Sequence, residues 1–173
     1  ECSQFEGLSE MVNRGEFLIP RLTREEYKRV IESPIKVAGG QITPRLLQRL
    51  LNDLGQQADQ LPCLQHALMR TWIVARKRDA AEPLALAEYQ RVGKMEHALS
   101  LHADEIYESL ESDRQRHLCR GIFQALTVQE SEKRGVRRPQ RLASLSQILD
   151  APSSELLPVI NAYRQHGVSF LTP

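Results

Sequence analysis

The residue types suited to chemistry are a few histidines and cysteines, some carboxylates and one cluster of cations. Cys63 and His66 lie three residues apart, and His117 and Cys119 two apart. A structural zinc needs four ligands at a recognisable spacing, and neither pair supplies them. Cys63 instead reads as a buried small apolar residue, a common place for a free cysteine. His97 and His102 are five apart on one expected helix, so they do not share a face. Serine and histidine are present without a GxSxG elbow or a Cys/His signature, so nucleophilic catalysis has no support. Asp104, Glu105 and Glu108 read as a solvated acidic face rather than paired catalytic carboxylates. No GxxxxGK loop followed by Ser or Thr precedes Lys36 or Lys94, so the chain carries no phosphate cradle and no nucleotide-hydrolysing set of its own. Lys133, Arg134, Arg137, Arg138 and Arg141 form a basic run that could meet phosphate or dock on a protein.

The elements that must position these groups are mostly helical. The most prominent is Leu61–Trp72, where a proline in the first turn costs no intrahelical bond. Leu61, Leu64, Leu68, Trp72 and Ala75 fall at three- and four-residue steps and predict one buried stripe. Upstream, Phe5, Leu8, Met11 and Val12 fall at helix-like steps, and Phe17–Ile19 reads as a short strand or extended link. Thr23 and Glu26 have the spacing of a capping box, opening a helix that Pro34 is expected to end near Ser33. Thr43-Pro44 opens another, with Leu46, Leu47, Leu50, Leu51 and Leu54 on its apolar face and Gly55 closing it. Arg76, Lys77 and Arg78 suit the negative end of the Leu61 helix. Leu86–Val92, Lys94–Leu110 and Arg114–Thr127 follow as helices, the last capped by Ser112 and Asp113. Beyond a charged turn at Glu130–Gly135, the pattern predicts a strand over Val136–Leu142 and a short helix over Leu145–Leu149. A turn, a helix over Glu155–His166 capped by Gly167, and a strand over Val168–Leu171 complete it. Pro158 leaves the first turn of that last helix undefined. Helix, strand, short helix, turn, longer helix, strand is the order of a winged helix.

Composition narrows the function classes. The chain has 173 residues, 41% hydrophobic and 26% charged, with aromatics at only 5%, so leucine and alanine must fill the core. A formal net charge of +1 creates no global field for nucleic acid or an anionic membrane. Cys2, Cys63 and Cys119 are odd in number and lack a CxxC, which points to a reduced, cytoplasmic protein. No apolar run approaches the roughly eighteen residues that would span a bilayer. No signal peptide is present, and the start at Glu1 and stop at Pro173 read as a piece of a longer protein.

Four blocks carry a family resemblance: FLIPRLTREEYKRVIESP (Phe17–Pro34), TPRLLQRLLNDLG (Thr43–Gly55), LPCLQHAL (Leu61–Leu68) and VINAYRQHGVSFLTP (Val159–Pro173). In this order they resemble the region after the core of novel STAND-type ATPases, bacterial signalling proteins often fused to WD repeats. The resemblance implies a mainly α fold: a helical lid bundle followed by an incomplete winged helix with short strands. Residues 1–20 would be the tail end of an ATPase core, 21–93 the lid, and 94–173 a winged helix truncated at its wing. Leu61 and Pro62 would lie against the base of ATP or ADP, held with magnesium by an upstream P-loop core. Gln60 stands where related ATPases have the glycine of a Gly-x-Pro element. The intact protein would then be an NTPase that switches oligomeric state as nucleotide exchanges. Its partners would be the core and other protein domains, with no membrane and no nucleic acid. The family's nucleotide-sensing histidine motif falls beyond Pro173 and cannot be assigned. Two other readings stand beside this one. A winged-helix DNA-binding regulator would use the basic run, although the helix near Glu155–His166 carries only Arg164 as a full positive charge. A helical protein-interaction adaptor would use a leucine-rich groove.

Overall fold

A computed structural model describes residues 22–54, 60–78, 82–131, 134–165 and 170–172. The expected helical steps at Phe5–Val12, the Phe17–Ile19 link, Gly55 and Gly167 lie outside these residues.

Helix α1 (Arg24–Val37) starts where the capping box predicts. The Glu26 amide donates to Thr23 Oγ1 at 3.3 Å and the Thr23 amide to Glu26 Oε2 at 2.7 Å. It does not stop at Pro34. The helix runs through the proline because only one main-chain bond is lost so near the end. Ala38 donates to the Pro34 carbonyl at 3.0 Å and Gly40 to that of Ile35 at 2.8 Å. Burial of Ile35 fixes the same turn from the core side.

Helix α2 (Pro44–Asp53) has Thr43 as its cap and Pro44 in its first turn. Arg24 clasps the far end of α2, donating to the Leu51 carbonyl at 3.2 Å and to Asn52 Oδ1 at 2.9 Å. Helix α3 (Leu61–Arg78) follows, then α4 (Leu86–Arg91) and α5 (Lys94–Glu108). Gly93, at φ +88°, makes the tight turn from α4 into α5, a conformation that favours glycine. Ile31, Leu46, Leu50, Leu64, Leu84 and Tyr89 are fully buried at the centre of this first core.

A second core follows. Helix α6 (Asp113–Ala125) is capped by Ser112, whose hydroxyl accepts from the Gln115 amide at 3.2 Å. It ends two residues before the expected Thr127, because Thr127–Ser131 is a strand, β1, paired antiparallel with β2 (Arg134–Arg137). Val128 faces Val136 across the hairpin, and a bulge falls between Gln129 and Ser131. The expected turn at Glu130–Gly135 and strand at Val136–Leu142 are therefore displaced. β-branched Thr127, Val128 and Val136 favour the pleat, whereas Pro139 cannot donate to a ladder and lies past its end.

Helix α7 (Leu142–Ile148) begins three residues before the expected Leu145, and α8 (Ser153–Arg164) two before the expected Glu155. Pro158 sits inside α8 on its exposed side, where water can satisfy the Ser154 carbonyl that loses its donor. Phe170 and Leu171 are in bends rather than the expected strand; both amides donate to the Tyr163 carbonyl, at 3.0 and 3.1 Å. His166, Val168 and Ser169 lie outside the described residues. The fold is thus mainly α, with one small two-stranded sheet among the described residues, in the order helix, hairpin, short helix, turn, helix after α5.

Helix α5 belongs to both cores. Ala98 in its first half packs with the first and Ile106 in its second half with the second. Its 15 residues span roughly 22 Å, enough to reach across both.

Candidate functional site

The head of α3 is formed where the Leu64 amide donates to the Gln60 carbonyl at 2.9 Å. Leu61 is half-buried and packs on the first core, while Pro62 and Cys63 are exposed. The expected burial of Cys63 is therefore overturned. It falls on the outward side of the first turn, one position before the inward Leu64. An exposed pyrrolidine beside first-turn N–H groups offers a flat apolar surface next to the positive end of a helix dipole. Gln60 Oε1 is buried there without a hydrogen-bond partner among the described residues.

The apolar stripe of α3 is rotated from the expected one. Its fully buried members are Leu64, Ala67, Thr71 and Ala75, with Thr71 Oγ1 satisfied by donating to the Ala67 carbonyl at 2.7 Å. Small residues let neighbouring helices approach on that side. The larger Leu68 and Trp72 are only partly buried. They line a cleft of about 430 Å³ between α1 and α3 together with Val30, Pro34, Leu64 and Leu84. The Arg76 guanidinium lies 3.9 Å over the Trp72 ring. Gly40 closes on both: a Cβ there would fall 2.4 Å from Arg76 Nη2 and 2.6 Å from Trp72 Cζ3. In the sequence Gly40 stands only as the second of two adjacent glycines. Nothing in its neighbours' spacing reveals the indole it must clear.

A second cleft, of about 390 Å³, lies among α3, α4 and α5 and is lined by Arg70, Lys77, Arg78 and Arg91 with Glu105. Its charges are partly matched. Arg70 pairs with Glu105, and Arg78 with Glu82 and Glu88. Glu105 is thus an ion-pair partner, not simply part of a solvated acidic face; Asp104 and Glu108 are exposed. In the basic run, Arg137, Arg138 and Arg141 are exposed along β2 and the link to α7. Arg134 lies in β2, and Lys133 is outside the described residues.

The histidine–cysteine pairs do not converge. Cys63 and His117 are exposed, Cys119 is buried, and Cys2 is outside the described residues. Burial raises the Cys119 thiol. Among the described residues no three His, Cys, Asp or Glu side chains come together as metal ligands. His97 is exposed beside Glu96, whereas His102 is buried. Sequence spacing pairs His102 with nothing, but the structure sets its Nδ1 3.3 Å from His66 Nε2 across α3 and α5. Burial, then the Arg70 charge and His66, push His102 down to about 4, against the opposing pull of Glu105. Burial also lowers His66, with the Ala98 carbonyl opposing and Arg70 assisting. The two positions are 36 residues apart, so only the packing of α3 on α5 could reveal them.

The sequence of the chain has a counterpart among known families. The sequence model described as Novel STAND NTPase 1 matches residues 1–165, and the chain belongs to that family. No curated protein and no solved structure matches it. Among the described residues no helix is long and apolar enough to cross a membrane.

Proposed function

We propose that this chain is the regulatory lid and winged-helix region of a STAND-type signal-transduction ATPase. Residues 1–20 are the tail end of the core, 21–93 the lid and 94–173 the winged helix. The lid closes over ATP or ADP held with magnesium by an upstream P-loop core, with Leu61 and Pro62 against the base. ADP favours the closed, inactive arrangement. Exchange for ATP swings the lid and winged helix and exposes oligomerising surfaces, a two-state change driven by differential contacts. The chain itself hydrolyses nothing and acts through its partners, the core and neighbouring protein domains, in the cytoplasm.

The observation that supports this reading is the head of α3. Leu61 anchors the first turn in a packed core while Pro62 is presented outward, so the ring is held by a rigid helix rather than a loop. For the basic run, docking on protein is the reading the charges favour over DNA. Helix α8 carries one Arg, at its end, and its Glu155 is paired with Arg114 at 2.9 Å.

The test extends the protein upstream to include the core and titrates labelled ADP and ATP, with Pro62→Ala alongside. Binding by the long form that weakens several-fold in the variant, and is absent from residues 1–173 alone, supports the lid role. A long form that ignores nucleotide, beside a chain that binds duplex DNA with steep salt dependence, overturns it in favour of the DNA-binding regulator.

A further inference from the structure

The His66–His102 pair has a cover. Phe170, from the segment leaving α8, places its ring centroid 5.9 Å from that of His66 and 5.3 Å from that of His102. It also meets the Tyr163 ring edge-on at 6.0 Å. Tyr163 in turn stacks edge-on with Phe123 at 4.9 Å, and its hydroxyl donates to the Ala103 carbonyl of α5 at 3.2 Å. One phenyl ring thus links the chain after α8 to α3 of the first core and to the shared helix α5.

What lies under that ring is polar and conditional. A single hydrogen bond joins the two imidazoles, which requires a donor on one ring and a bare nitrogen on the other. If both rings gain a proton, two N–H groups face each other and the bond is lost. The charged groups around the pair oppose even the first proton. Arg70 on α3 faces both rings, and Glu105 on α5, the carboxylate that favours charging His102, is already paired with Arg70. On the α8 side the neighbours among the described residues are Tyr163 and Phe170, neither of which brings a charge. Moving Phe170 aside admits water to both imidazoles and removes the cost of charging them. Proton uptake and release of the ring therefore favour each other.

We propose that Phe170 is a releasable latch: seated on His66 and His102 it fastens the chain leaving α8 to the helical bundle, and protonation of the pair frees it while both cores remain folded. The latch does not depend on the nucleotide reading. It makes the exit path of the chain a two-state element.

The test is amide hydrogen exchange by NMR on residues 1–173. The Phe170 and Leu171 amides, both bonded to the Tyr163 carbonyl, report the latch. The Leu50 and Leu118 amides report the two cores. After correction for intrinsic rates, the latch amides should open at least on the order of thirtyfold more at pH 5 than at pH 7.5, the figure for uptake by His102 alone, with any uptake by His66 adding to it. The core amides should stay protected, and His66→Leu/His102→Leu should abolish the response. If the double variant does not fold, the wild type and Phe170→Ala suffice: the His102 titration midpoint, followed by its ring carbon shift, should move up toward 6.5 in the variant. Loss of core protection in step with Phe170, or a His102 midpoint unmoved by Phe170→Ala, overturns the latch.

Discussion

Among the buried polar links that meet α5, the two nearest the first core are built on opposite principles. Near its start, Tyr89 donates its hydroxyl proton to Asp53 Oδ2 at 2.9 Å and accepts from the Met95 amide at 3.0 Å. Asp53 also pairs with Arg49 at 2.9 Å. A donor meets a carboxylate and an acceptor meets an amide, so the link is satisfied in one protonation state across the neutral range. Burial and Asp53 raise the Tyr89 hydroxyl further above its ordinary value. Toward the other half, His66 and His102 meet with donor and acceptor roles that depend on their protons. The first link locks α2, α4 and α5 into one core. The second joins α3 and α5 on terms that pH can change.

The largest effect tests whether α5 makes the two cores cooperate. Leu64→Ala in the first core and Leu118→Ala in the second each remove a fully buried side chain and should cost about 2–5 kcal/mol. Trp72 is the single tryptophan and lies in the first region. Urea unfolding followed by its fluorescence should show the Leu118→Ala loss as well as the Leu64→Ala loss. A Trp72 midpoint that ignores Leu118→Ala would mean the cores unfold separately and α5 does not couple them.

Next in size is the acid response. The folded His102 sits below its unfolded value of 6.5, so the unfolded chain binds more protons as pH falls. Stability should therefore drop through 6.5 and level off near 4, by roughly 3 kcal/mol at the bottom of that window. Carboxylates contribute over the same range, so the quantity to read is the difference between wild type and His102→Leu in urea titrations at several pH values. Equal slopes would place the pair in water rather than under Phe170. Tyr89→Phe should cost about 1–2 kcal/mol at every pH between 5 and 8 and leave the acid slope alone. Its own signature is alkaline. A raised tyrosine loses stability above pH 10, where the unfolded chain gives up a proton that the folded one keeps, and the variant should lack that decline.

The same contrast explains what could be read from the chain in advance. Thr23-x-x-Glu26, Thr43-Pro44 and Ser112 are local devices: each satisfies an orphan amide within three residues, so spacing alone locates three helix starts. Ends were harder. Pro34 and Pro158 are breakers by propensity, but one lies in a final turn pinned by Ile35 and the other on a wet face, and packing overrides both. β1 is hidden in the sequence because an apolar helical period runs up to Leu126 and only the partner strand turns Thr127 onward into a ladder. The rotated stripe of α3 has the same cause. Ala67 and Thr71 are weak hydrophobic signals, and the neighbouring helices, not the side chains' size, decide that they face inward. The head of α3 was legible as a motif, whereas the histidine pair and Gly40 arise only when distant segments meet.

The smallest effect concerns the exposed cations of the second region. Arg137, Arg138 and Arg141 are exposed, and none forms an ion pair among the described residues, so Arg137→Gln/Arg138→Gln should change stability by no more than about 0.5 kcal/mol. A larger loss by urea unfolding would show that the hairpin depends on these charges. A neutral outcome leaves them available for a partner. With the protein extended upstream, the variant should then weaken nucleotide-dependent assembly, measured by sedimentation, more than it weakens nucleotide binding. Pro62→Ala should do the reverse, because its ring is presented at the head of α3 and the arginines lie along the hairpin and its exit. If both variants impair binding and assembly in the same ratio, the two regions act as one surface, and the proposed division between a nucleotide-facing helix head and a docking hairpin fails.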